Sequence, residues 1–161
     1  MRKPGLSGNV KTHKGRFKPK NPSKYLGDST KIYYRSSWER YVMIWADISS
    51  NILAWGSEEV VIPYLSVVDG KRHNYFIDFV FRLKDSKQGP VTLLVDVKPD
   101  KQTRVPSRNA TDHKSRRNRM KEIIEYGRNI SKWDAARMHA QKNGYLFEIW
   151  TEKVLARLGI M

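Results

Sequence analysis

The eight residues from Val91 to Lys98, VTLLVDVK, are almost wholly apolar and rich in β-branched side chains until their last positions, and Pro99 stops them. A run of that length and composition reads as a central strand covered on both faces, since a helix would need more residues and a half-exposed strand would alternate. The chain must therefore build layers around a sheet.

The flanking patterns supply those layers. Ser36-Ser37-Trp38-Glu39 has capping-box spacing, and Trp38, Tyr41, Val42 and Trp45 recur at helical intervals, which predicts a helix over about 37–49. Residues 58–67 and 72–83 are β-branched and aromatic and are joined through Asp69-Gly70, so they predict an antiparallel pair, with Pro63 placing the first strand at an edge or a bulge. Beyond the apolar strand, 111–127 predicts a helix. Ser131-x-x-Asp134 predicts a cap for a second helical stretch, with Trp133, Ala136 and Ala140 on one face and Gly144 at its end. A strand over 145–151 and a short terminal helix carrying Val154, Leu155 and Leu158 complete the chain. The order, αβββαβ before the last helix, is that of an α/β domain with a central mixed sheet flanked by helices, not of a bundle or a barrel.

A length of 161 residues suits one core. Residues 1–30 are read apart from it, as a basic flexible N-terminal arm, because Lys, Pro, Gly, Ser and Asn dominate there and leave little apolar surface to offset the entropy of ordering. The folded domain is expected over 31–161. With no cysteine, disulfide frameworks, thiolate zinc sites and cysteine nucleophiles are excluded, and a reducing compartment fits. No apolar stretch follows Met1 as in a signal peptide, and none is long enough to span a bilayer, so the chain reads as soluble.

Net charge is +15, and all of the excess lies in two places. Residues 1–31 hold nine basic side chains against Asp28 alone, while 98–121 hold nine against Asp100 and Asp112. The rest of the chain balances to zero. Excess concentrated in this way suits a polyanion, and double-stranded DNA is the expected partner through release of phosphate counterions. Lys101, Arg104, Arg108, Lys114, Arg116, Arg117 and Arg119 are the candidate phosphate contacts, with a solvated basic helix as the plain alternative. His113 is a further guess at a phosphate contact. The four histidines lack metal-ligand spacing, and the five tryptophans fall mostly in patterned elements, where they are read as core.

Chemistry concentrates on two strands. Asp96 and Lys98 are two residues apart and leave the same face of the apolar strand, while Asp78 interrupts another strand in which Tyr75, Ile77, Phe79 and Phe81 are expected to line the opposite, oily face. Carboxylates in such strands need a cation or donors. Mg²⁺, with Mn²⁺ as a substitute, would meet that need and suits phosphate chemistry: it can polarise the phosphoryl group and lower the pKa of a water, with Lys98 orienting the water or neutralising the transition state. Asp96 and Lys98 could instead be a plain strand-end ion pair. Glu58 is a weaker candidate to assist the metal.

Ile77-Asp78 followed by Asp96-Val97-Lys98, with Glu39 on the preceding helix, resembles the PD-(D/E)XK pattern of the restriction-endonuclease-like nucleases. More narrowly, YRSSWER at 34–40, WGSEE at 55–59, IPY with DGKRHNYFIDF between 62 and 79, and the DVKP turn are similar to the head completion nucleases of T-even-type tailed phages. The resemblance covers about residue 30 to the C-terminus. It implies a metal-dependent endodeoxyribonuclease with Glu39, Asp78, Asp96 and Lys98 as catalytic residues, and the three acids as metal ligands. It also implies a role on DNA ends during capsid maturation, partners among capsid or neck proteins, and a place in the host cytoplasm or on the virion. Glu39 keeps two readings, site acid or helix cap. Other outcomes left open are a transposon-end nuclease, a junction resolvase, or a structural head or neck protein that uses a nuclease fold to grip DNA.

Overall fold

A computed structural model of the chain describes residues 13–84, 87–107 and 115–161. Its elements in chain order are β1 (Gly15–Arg16), β2 (Tyr33–Tyr34), α1 (Ser37–Ile48), β3 (Ile52–Ser57), β4 (Val61–Leu65), β5 (Arg72–Phe76), β6 (Phe79–Leu83), β7 (Val91–Val97), α2 (Arg116–Asn143), β8 (Leu146–Trp150) and α3 (Glu152–Arg157). The apolar run is β7, third in a mixed sheet ordered β3-β6-β7-β8, in which β7 and β8 are parallel and the other neighbours antiparallel. Alternate residues of β7 enter two cores. Leu93, Val95 and Val97 pack with Phe79, Phe81, Trp55 and Trp150 beneath α1, whereas Leu94 joins Ile62, Tyr64 and Tyr75 of the β4–β5 hairpin, Ile77 just beyond it, Val80 of β6, and Ala136 and Ala140 of α2. Burial on both faces is why the strand carries no alternation.

Three elements differ from the sequence reading. Ile52–Ser57 is an additional strand, β3, paired with β6. The expected long strand 72–83 is broken at Ile77–Asp78: β5 pairs with β4, β6 pairs with β3 and β7, and facing parity changes across the break, so that Tyr75 and Ile77 lie in one core and Phe79 and Phe81 in the other. The expected second cap at Ser131 is absent because α2 is continuous from Arg116 to Asn143. The Ser131 hydroxyl instead donates to Gly127 O at 3.1 Å and accepts from Val67 N at 3.1 Å, joining the helix to the hairpin. Gly144 ends α2 in the left-handed conformation, as a glycine at that place allows.

Residues 13–31, expected to belong to a loose arm, lie against the domain. Phe17 and Tyr25 are buried edge-on against Trp55. The Asp47 carboxylate at the end of α1 accepts from Lys20 N at 2.7 Å and Asn21 N at 3.1 Å, and the Lys24 ammonium donates to the carbonyls of Ala46, Asp47 and Ser49. A cation on the last carbonyls of a helix both satisfies them and complements its dipole. Lys24 is thus a cap for α1 contributed from a distant part of the chain. Residues 1–12 lie outside the described residues.

Candidate active site

β6 and β7 pair with Phe79 opposite Val95, and Asp78, in the bend just before β6, faces Asp96 where this register runs out at the sheet's end. Both side chains are buried. Like charges opposed across a ladder repel, and here each is met by a donor: Val97 N donates to Asp78 Oδ2 at 2.8 Å, and the Trp133 indole donates to Asp96 Oδ2 at 2.9 Å. Lys98 extends the strand, its N–H donating to Trp150 O at 2.9 Å, and its ammonium stands 3.9 Å from Asp96 Oδ2. Burial pushes the Asp96 carboxyl up to about 6; the Lys98 ammonium pulls it down, the facing Asp78 adds to the rise, and the Trp133 N–H moderates it.

Asp78 owes its place to the break between β5 and β6. Ile77 N donates to Val60 O and Glu58 N donates to Asp78 O at 3.2 Å, so the chain crosses from the hairpin to the central sheet over these two residues. Glu58 adopts φ 58°, a left-handed conformation that strains any residue with a Cβ. Its carboxylate pairs with Arg35 at 3.1 Å. Backbone strain and an ion pair therefore converge on the segment that carries Asp78.

Glu39 takes the capping role. Its N–H donates to Ser36 Oγ at 3.2 Å and its Oε2 accepts from Arg35 N at 2.8 Å, a near relative of the reciprocal capping box. Arg35, whose main-chain N–H Glu39 accepts, pairs through its guanidinium with Glu58, and among the described residues no group of three Asp, Glu or His side chains gathers as a metal cluster. Two hard carboxylates face each other, and the pair that results still fits Mg²⁺, which binds through one or two carboxylates and keeps waters for a phosphate substrate.

Of the candidate phosphate contacts, Lys101, Arg116 and Arg117 are exposed and Arg119 is half-buried. Arg104 is ion-paired with Asp100, whose carboxylate Lys153 also reaches at 3.1 Å. Arg108, Lys114 and His113 lie outside the described residues. Trp133, read from sequence only as core, is also the donor to Asp96. No spacing signal marks that role, because the partner is brought in by the crossover of α2.

A mixed four-stranded sheet with two opposed acids at its end and a lysine two positions along the strand defines a nuclease of the restriction-endonuclease-like class. The family model described as TnsA-like endonuclease N terminal matches residues 49–152, and the chain belongs to that family. It is also 41% identical over 148 residues, 91% of its length, to the head completion nuclease of Enterobacteria phage T4, of which the match covers 96%. None of the described helices is long and apolar enough to cross a membrane.

Proposed function

We propose that this phage nuclease is a Mg²⁺-dependent endodeoxyribonuclease that acts on the ends of packaged DNA during capsid maturation, in the host cytoplasm or on the virion and alongside capsid or neck proteins. The observation that carries this reading is the opposition of Asp78 and Asp96 beside Lys98. Asp78 and Asp96 would hold the ion, which when bound supplies Lewis acidity to the phosphate and to the attacking water. Asp96 is raised first by burial and further by the facing Asp78, and a divalent cation would favour its charged form against both. Lys98 carries the positive charge that orients the water and neutralises the phosphoryl oxygens. Glu39 contributes by fixing Arg35, and through it Glu58, whose N–H donates to Asp78 O.

The basic residues continue the site outward. α2 runs back antiparallel to β7, because it connects two parallel strands. Arg119 therefore lies about 20 Å from Trp133 along α2, in the direction in which β7 runs, at 1.5 Å per residue. Arg116, Arg117 and Arg119 crowd a helix start that has no acid in its first turn. Cations there oppose the helix dipole, a small penalty that a DNA phosphate would reverse. A purely structural head protein would gain nothing from a buried pair of opposed acids, and the 96% coverage of the head completion nuclease favours that role over a transposon-end one.

The test is cleavage of linear, circular and branched DNA with and without Mg²⁺ by the wild type, Asp96→Ala and Lys98→Ala. The wild type should cleave only with the ion, both variants should lose at least about a hundredfold in rate, and linear ends should be preferred. If all three proteins bind DNA and leave every substrate intact, the chain is a DNA-gripping structural protein instead.

A further inference from the structure

α2 presents a second polar side chain on the face that carries Trp133. Asn129 precedes Trp133 by four residues, so the two lie one above the other. It is 1% exposed, and neither its carboxamide nitrogen nor its carboxamide oxygen has a hydrogen-bond partner. Folded proteins rarely leave a buried amide unsatisfied at both ends, and those they do keep call for an explanation.

Topology places this amide. Trp133 marks where α2 meets Asp96. Because helix and strand run in opposite directions, a step back along α2 and a step forward along β7 point the same way. Four helical residues rise about 6 Å and two strand residues about 6.6 Å, so the step from Trp133 to Asn129 runs in the same direction, and about as far, as the step from Asp96 to Lys98. On the hairpin side, the buried Tyr75 hydroxyl stands next to Asp96 without a hydrogen bond of ordinary geometry, and Lys132 of α2 lies 5.6 Å from the Tyr75 ring centre. A buried phenol beside Asp96 and a buried amide one turn from Trp133 thus come from two different elements. The pair itself is loose: 3.9 Å is too long for a hydrogen bond, and the Lys98 side chain is only 16% exposed, so neither Asp96 nor solvent fixes its three donors.

We propose that Asn129 is a positioning residue for Lys98, its carboxamide oxygen accepting from the ammonium when that group turns from Asp96 toward the scissile phosphate. An ammonium on a flexible four-carbon stem gains direction from one fixed acceptor, and a rigid helix one turn from Trp133 supplies it. The inference rests on the reading of Asp78, Asp96 and Lys98 as the nuclease centre.

Stability and turnover should move in opposite directions when the amide is removed. Asn129→Leu, close in volume, takes away an unsatisfied polar group, so the melting temperature should equal or exceed that of the wild type. Loss of orientation should lower kcat about 10- to 100-fold, with KM for duplex DNA changed by less than about twofold. An amide whose work is structural would show the reverse, a lower melting temperature with kcat retained. If leucine overfills the site, Asn129→Ala decides: reduced kcat with a held melting temperature supports the proposal, and retained kcat or a joint loss of both overturns it. Asp96→Ala in the same assay separates the two readings. A wild type that fails to cleave takes both down, whereas a wild type that cleaves, an inactive Asp96→Ala and an Asn129→Leu with full turnover overturn the Asn129 proposal alone.

Discussion

The indole N–H of Trp133 donates to Asp96 Oδ2 at 2.9 Å, so a helix residue thirty-seven positions further along the chain sets the environment of the strand's acid. The donor holds down the proton affinity of a carboxyl that burial raises. Trp133→Phe keeps an aromatic ring in the core and removes only the N–H. The Asp96 pKa should rise further above about 6, and the acid limb of the cleavage pH profile should move upward with it. Activity lost at pH 6.5 should therefore exceed activity lost at pH 8; a loss equal at every pH would mean that the indole serves packing alone.

The same carboxyl makes metal-free stability depend on pH with an unusual sign. The Asp96 pKa is about 6 in the folded chain against 3.8 for an ordinary Asp, so between those values the folded state holds the proton that the unfolded state has lost. Its contribution is greatest below pH 3.8 and disappears as pH rises through 6. Relative to Asp96→Asn, the metal-free wild type should lose up to about 3 kcal/mol between pH 4 and 7 in urea denaturation. A difference that stays flat, or grows in the wild type's favour, would refute this account of the pair.

Most of this architecture was legible where local pattern and tertiary role agree. The uniform apolarity of 91–97 announced a strand buried twice, Ser36 and Glu39 announced the start of α1, and Gly144 announced the end of α2. Legibility failed where a distant partner decides. Ser131 looks like a cap, but its hydroxyl answers the hairpin at Val67; Tyr75 and Phe79 share sequence parity yet enter different cores, because Asp78 sits at a crossing between sheets. Within the site, the side-by-side placement of Asp96 and Lys98 follows from strand periodicity, whereas the opposition of Asp78 and Asp96 needs the register, and Trp133 and Asn129 need the direction of α2.

Residues 13–31 pack against the domain for a related reason. Their few apolar residues, Phe17 and Tyr25 among them, are well placed, and their order comes from main-chain donors that composition does not reveal. Asp47 is 2% exposed and gathers two of these donors. Asp47→Ala should cost about 3 kcal/mol, because charge-assisted bonds are lost and two N–H groups are left unanswered, and amide exchange should accelerate across 17–32. Removal of residues 1–30 should likewise lower the melting temperature sharply. Unchanged stability in that truncation would return residues 13–30 to the status of an arm.

The arginines at the start of α2 should show themselves in the salt dependence of binding. Each phosphate they neutralise releases about 0.9 of a counterion from duplex DNA, so replacing Arg116, Arg117 or Arg119 by alanine should flatten the slope of log Kd against log salt by about 1 per contact. The Arg116 and Arg117 substitutions, both at exposed positions, should leave the melting temperature unchanged or slightly higher, since each removes a cation from the positive end of a helix. Arg137 gives an internal control on the same helix, exposed and paired with Asp134 at 3.4 Å, but on the far side of Trp133 from the site. Arg137→Ala should leave the slope intact. Fluorescence anisotropy on a short duplex between 50 and about 300 mM salt measures all four variants, and if Arg137→Ala flattens the slope as much as Arg117→Ala, charge is acting diffusely and not along the path that leads to Lys98.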